Sequence, residues 1–260
     1  MAMAKKNKRR KRKYVILVLA LFAVVCALML FLYYNWLTGR PRFVRYPAFG
    51  ISVPENYFIH GIDVSRYQQT VAWELVKEMK VKDIQLGFCF IKATEGIGNT
   101  DPQFRRNWRR SRQVGMIRGA YHFFLATKDG RTQAEHFIRR VELENGDLPP
   151  VVDIEQTYGV SSPVVRSELK EWLQVIEEHY RVKPIIYTNV DFYRRYLGDD
   201  FDSYPLWAAH YYQHAEPRIN RPWTFWQYSE EGRVNGILSR VDFNVFNGDS
   251  LLFRNLLITR

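Results

Sequence analysis

The chain is expected to fold as an irregular α/β barrel of TIM type behind one N-terminal transmembrane helix, and three observations carry that expectation. Five short apolar strands alternate with amphipathic stretches between residues 59 and 188, the order that builds a parallel sheet with helices outside it. Three further apolar strands follow with little helix between them, which brings the strands to eight. Ahead of these, residues 14–34 carry no charged side chain and follow eight basic residues between Lys5 and Lys13.

In chain order, residues 1–13 form a basic tail and residues 14–34 an apolar run of 21 residues, which at about 1.5 Å each just crosses a bilayer core of roughly 30 Å. A cleaved signal peptide has a shorter apolar core and a small-residue cleavage site. Here Val25 and Ala27 are followed by more apolar chain, Leu28 to Tyr34, so an uncleaved anchor is expected; Cys26 lacks the small preceding residue of a lipoprotein signal. The basic tail stays in the cytosol by the positive-inside rule, which places everything after Trp36 outside, with Tyr33, Tyr34 and Trp36 at the outer interface of the lipid bilayer. Of the formal net charge of +11, only +3 is left once the eight tail cations are set aside. Beside a spanning helix such a run signals topology and contact with anionic lipid, and no nucleic-acid partner is expected. The two cysteines, Cys26 in the anchor and Cys89 in an apolar strand, allow no disulfide within the external domain, which must rely on its core. Residues 35–56, with Gly39, Pro41, Pro47, Gly50 and Pro54, read as a linker, and 57–260 as one domain.

Within that domain the strands expected are Ile59 to Val64, Leu86 to Ile91, Ile117 to Phe123, Pro150 to Glu155, Pro184 to Thr188, Leu206 to His210, Thr224 to Tyr228 and Val241 to Val245. Helices are expected over Val71 to Met79, Gln103 to Val114, Thr132 to Val141 and Pro163 to Tyr180, the last with Ser162 as N-cap, and a short one near Asp191 to Tyr196. Five βα units followed by three strands favour the barrel. An open doubly wound sheet is the alternative, but no glycine-rich phosphate loop follows the first strand.

In such barrels the chemistry sits at the C-terminal ends of the strands. Asp153 and Glu155 stand two positions apart in Val151-Val152-Asp153-Ile154-Glu155, so both face one space. Desolvation and like charge make such a pair costly, and carboxylate pairs are the machinery of glycoside hydrolysis. Alternatively, acids at a strand end cap a loop or meet an arginine. Asp63, Glu95 and Asp242 occupy comparable positions on other strands. Aromatic and polar residues join them: Tyr121 and His122, Tyr187 and Asn189, Trp207 and His210, and Trp226-Gln227-Tyr228. Acids within a ring of aromatics suit a sugar cleft, although each aromatic is also a candidate core residue.

The ordered motifs Gly61-Ile62-Asp63-Val64-Ser65 with Tyr67-Gln68, Phe90-Ile91-Lys92-Ala93-Thr94-Glu95-Gly96, Gly119-Ala120-Tyr121-His122-Phe123, Asp153-Ile154-Glu155, Ile186-Tyr187-Thr188, Leu206-Trp207-Ala208-Ala209, Trp226-Gln227-Tyr228 and Val241-Asp242-Phe243-Asn244 resemble the lysozyme-type muramidases of glycoside hydrolase family 25. The resemblance runs from His60 to about Phe246; Gln69 and Asn99 depart from the usual pattern without touching the acids. It implies an irregular β/α barrel that cleaves the β-1,4 bond between N-acetylmuramic acid and N-acetylglucosamine in the glycan strands of peptidoglycan. Glu155 would be the general acid/base, Asp153 its assistant, and Asp63 and Asp242 the rest of a catalytic cluster. Tyr121, Tyr187, Trp207, Trp226, Gln227 and Glu95 would bind substrate. Net retention with the substrate's own acetamido group as nucleophile is favoured, because a D-x-E pair on one strand is similar to that of substrate-assisted chitinases. No cofactor is implied, and no metal, since no His and Cys cluster has ligand spacing. Two other functions fit less well: a chitinase-like N-acetylglucosaminidase, whose longer acidic run would place Asp where Val151 stands, and an inactive wall-binding scaffold, which the four intact acids argue against.

Overall fold

The computed structural model describes residues 2–38, 42–213 and 215–259, so Gly39 and Pro41 of the expected linker, and Arg260, lie outside the described residues. The chain divides into two compact units, residues 1–41 and 42–260. The first is a single helix, α1 (Ala2–Thr38). Its segment Lys13–Trp36 has a mean hydropathy of 3.3 and contains no buried residue, which makes it a candidate membrane span.

The second unit opens with a hairpin, β1 (Phe43–Tyr46) against β2 (Ile51–Pro54). The expectation of a linker over 35–56 is corrected here. Proline and glycine mark the turn and the strand end, while Phe43 packs on Trp226 and Phe49 on Phe243 across the outer face of the following sheet. The Arg233 N–H donates to the Phe49 carbonyl and ties the turn down.

The barrel strands are β3 (His60–Val64), β5 (Ile84–Glu95), β7 (Ile117–Phe123), β8 (Val151–Asp153), β9 (Ile185–Asn189), β10 (Leu206–Ala209), β11 (Phe225–Gly232) and β12 (Val241–Phe246); β4 (Lys80–Val81) and β6 (Asn99–Thr100) are short partners of β5. Each of the eight expected strands is present. Pairing runs β3-β5-β7-β8-β9-β10-β11 in parallel, and β12 closes the ring antiparallel to both β11 and β3. Around it lie α2 (Trp73–Glu78), α3 (Phe104–Gln113), α4 (Gly130–Ile138), α5 (Ser162–Tyr180), α6 (Val190–Phe192) and α7 (Ser250–Leu256). Helix α5 takes Ser161, one residue earlier than expected, as its N-cap.

Side chains alternate in and out along each strand. On β5, Phe88 and Phe90 fill the interior with Phe225 and Trp207, Phe90 stacking on Trp207 at 4.3 Å between ring centres. Glycine faces these rings from both neighbouring strands: a Cβ at Gly61 would come within 2.5 Å of Phe88, and one at Gly119 within 2.5 Å of Phe90. The glycines of those two motifs are thus the space that the phenylalanines occupy. Phe253 of α7 packs on Phe88, Phe225 and Phe246 and closes the end of the barrel where the parallel strands begin. The outward strand faces and the helices form a second, larger core.

Candidate active site

The same alternation brings polar groups to the open end. Two residues beyond Gly61 on β3 comes Asp63; beyond Phe90 on β5, Lys92; beyond Gly119 on β7, Tyr121; beyond Val151 on β8, Asp153; beyond Ile185 on β9, Tyr187; beyond Phe225 on β11, Gln227. On β12 the direction is reversed, so it is the first turn of the strand, Asp242, that reaches the mouth. With Glu155, Trp207, Tyr211 and Phe123 these groups line a cleft of about 400 Å³, with Tyr67 at the wall.

The cleft holds two carboxyl pairs. Asp153 is 7% exposed, and its carboxyl and that of the less buried Glu155 lie within hydrogen-bonding reach of each other. Burial holds both above the usual carboxylate range; Asp153, the deeper of the two and also repelled by Glu155, is raised further. Oδ1 of Asp153 is buried with no hydrogen-bond partner among the described residues. Lys92 is the countercharge: it pulls both carboxyls down, holds Glu95 at 2.7 Å and sits 4.5 Å over the Phe123 ring.

Asp63 and Asp242 face each other across the β3–β12 ladder. Burial raises Asp63 to about 6, even though Asn244 and Gln227 each donate to its Oδ2 at 2.8 Å. Asp242 is pushed up to about 9 by burial and then by the negative charge of Asp63, so this pair shares a proton that rests on Asp242. A hydrogen-bonded chain supports it: Trp207 Nε1 donates to Asn244 at 2.8 Å, and the Tyr187 and Tyr211 hydroxyls both donate to Gln227 Oε1, Tyr187 at 2.7 Å.

The structure therefore brings together Asp63, Asp153, Glu155, Asp242, Tyr121, Tyr187, Trp207 and Gln227. Trp226 is a correction. It is fully buried on the outside of the barrel against Tyr57 and Trp223, because its neighbour Gln227 faces in and adjacent strand residues cannot share a face. Glu95 likewise does not line the cleft but stands beyond it, paired with Lys92. His122 also points outward, packed on Trp172, and burial drives it down to about 3, so it is neutral. Asn189 caps α6 instead, and His210 accepts the Arg218 N–H. Sequence reading passed over Lys92, Tyr211 and Asn244 as individuals; Lys92 was available from its parity with Phe88 and Phe90, whereas Tyr211 lies in a loop after β10 with no periodic signal.

Tyr187→Phe deletes only the hydroxyl on Gln227, which Tyr211 still engages. We expect turnover to fall about tenfold with the melting temperature within about 2 °C of the parent, as loss of one redundant hydrogen bond allows. Unchanged turnover would assign Tyr187 to packing alone.

A closed barrel with paired, proton-sharing carboxyls at the floor of an open, aromatic-walled cleft defines a glycoside hydrolase. The family model described as glycosyl hydrolases family 25 matches residues 62–237, and the chain belongs to that family. It is 45% identical over 201 residues to "Uncharacterized protein YegX" of Escherichia coli K12, covering 77% of this chain and 74% of the relative. It is 33% identical over 211 residues to "Lysozyme M1" of Streptomyces globisporus, covering 74% and 69%. A family 25 glycosyl hydrolase structure from Bacillus anthracis superposes with a TM-score of 0.72 at 35% identity, covering 79% of this chain and 96% of that one.

Proposed function

We propose that the chain is a membrane-anchored muramidase that hydrolyses the β-1,4 bond between N-acetylmuramic acid and N-acetylglucosamine in peptidoglycan. The observation that carries this reading is the Asp153–Glu155 pair on the cleft floor, two carboxyls within hydrogen-bonding reach of each other and both raised above the usual carboxylate range by burial. The likeness to a protein named lysozyme supports the substrate. Glu155, the more accessible carboxyl, protonates the leaving oxygen and then takes a proton from water. In the free enzyme the pair's proton rests on the deeper Asp153 and is donated to Glu155. Substrate binding turns Asp153 toward the acetamido nitrogen and passes the proton to Glu155. The acetamido oxygen then attacks the anomeric carbon, giving an oxazolinium ion and net retention. Asp63 supplies negative charge facing the developing oxocarbenium ion, and Asp242, protonated, holds Asp63 in place. Tyr121, Tyr187, Trp207 and Gln227 contact the sugar, and Glu95 acts through Lys92.

Zymography on peptidoglycan beside chitin tests the reading. The parent clears peptidoglycan and spares chitin; clearing of chitin alone, or no clearing by folded enzyme, overturns it.

Residues 14–34 hold this domain at the outer face of the membrane, with the basic tail in the cytosol. The long charge-free run of α1, exposed along its length, supports this. Full-length protein is expected in the membrane fraction, with the catalytic domain removed by protease added from outside. Recovery mostly in the soluble fraction, or processing after Ala27, would refute the anchor.

A further inference from the structure

Beside the catalytic cleft lies a second groove of about 610 Å³, walled by the β1–β2 hairpin on one side and β11 with the loop after β10 on the other. Its size falls in the range of about 300–1,000 Å³ typical of ligand sites. Tyr211 and Glu230 line both spaces, so the groove continues the cleft. The hairpin lies ahead of the residues matched by the family model, 62–237. Its lining is that of a carbohydrate path rather than of a protein interface. Phe43, Tyr211 and Tyr212 offer ring faces, Tyr212 at 77% exposure, between polar Ser52, Gln213 and Ser229. Arg45, at the same wall, is exposed and has no ion-pair or hydrogen-bond partner among the described residues.

We infer that the hairpin groove binds further sugars of the glycan strand whose scissile bond lies in the catalytic cleft, so that the chain prefers long strands to short fragments. The inference rests on the muramidase reading, and it follows from continuity with the cleft and from the exposed ring of Tyr212. An apolar sugar face stacks on Tyr212, while Arg45 meets the carboxylate of a muramic acid lactyl group that carries no stem peptide.

The test is binding, so that it stands apart from turnover. Full-length Glu155→Gln protein in detergent is titrated with peptide-free glycan fragments of increasing length, alone and with Tyr212→Ala or Arg45→Ala added. Affinity should rise with length beyond the fragment that fills the cleft. Each added substitution should weaken the longest fragment about three- to tenfold, the size of one aromatic or charge-assisted contact, and leave the shortest unchanged. Both sites are exposed, and unchanged melting temperatures would confirm folding. An affinity that does not rise with length, equal losses at every length, or a gain that appears only when stem peptides are attached would overturn the inference. Failure of every fragment to bind, together with no hydrolysis by the parent, would instead sink the muramidase reading.

Discussion

Glu155→Gln is expected to lower peptidoglycan hydrolysis by at least about a hundredfold, the usual contribution of a general acid/base, while folding and glycan binding persist. The amide keeps the shape of the carboxyl and can still accept from Asp153, but it cannot deliver a proton to the leaving oxygen. Asp153→Asn is nearly as severe, since the asparagine can neither pass a proton to Glu155 nor offer a carboxylate to the acetamido N–H. Since the proposed mechanism has both residues serve one transition state, the double variant should lose far less than the product of the single losses. Initial rates on purified sacculi for the four proteins decide the matter. Near-normal turnover in Glu155→Gln would refute the assignment, and fully multiplicative losses would mean that the two carboxyls act separately.

The second large effect is on stability, and its sign is opposite to that on activity. Asp63 and Asp242 ordinarily titrate near 3.8, but in the folded protein they do so at about 6 and about 9. A carboxyl raised on folding binds its proton more tightly in the native state. The stability it contributes is complete below pH 4 and is lost as pH climbs through 6 and then 9. Asp242→Asn replaces the proton-sharing partner with a neutral amide that can donate to Asp63 at any pH. Its melting temperature should exceed the parent's at pH 8 by about 4 °C or more, at roughly 2–4 °C per kcal/mol for a domain of this size. The difference should shrink toward pH 4, and activity should fall. Parallel melting curves for the two proteins from pH 4 to 9 would show that the pair does not share a proton.

Much of this architecture was legible in the sequence because the barrel strands are short apolar runs with a period of two, and that signal needs no tertiary information. The hairpin was not legible. Its prolines and glycine look like a linker, and what holds it is burial of Phe43 and Phe49 on Trp226 and Phe243, residues far along the chain. In the site, Asp63, Asp153, Glu155 and Asp242 lie where position alone put them, whereas Glu95, chosen in the same way, stands beyond the cleft, and the aromatics needed parity. Trp226 and Gln227 adjoin, and only one of them can face inward; the hydrogen bond from Gln227 to Asp63 shows which.

The reversed strand β12 also bears on when activity can first exist. It supplies both Asp242 and Asn244, and the bond from Asn244 to Asp63 joins residues 181 positions apart. Until β12 has left the ribosome and paired with β3, the ring stays open and Asp63 lacks two of its partners. Contacts so distant in sequence form late, since closing long loops is slow. Synthesis therefore makes the hydrolase competent only at its final stage, and a nascent or truncated chain ending before residue 241 holds the Asp153–Glu155 pair without a finished site around it.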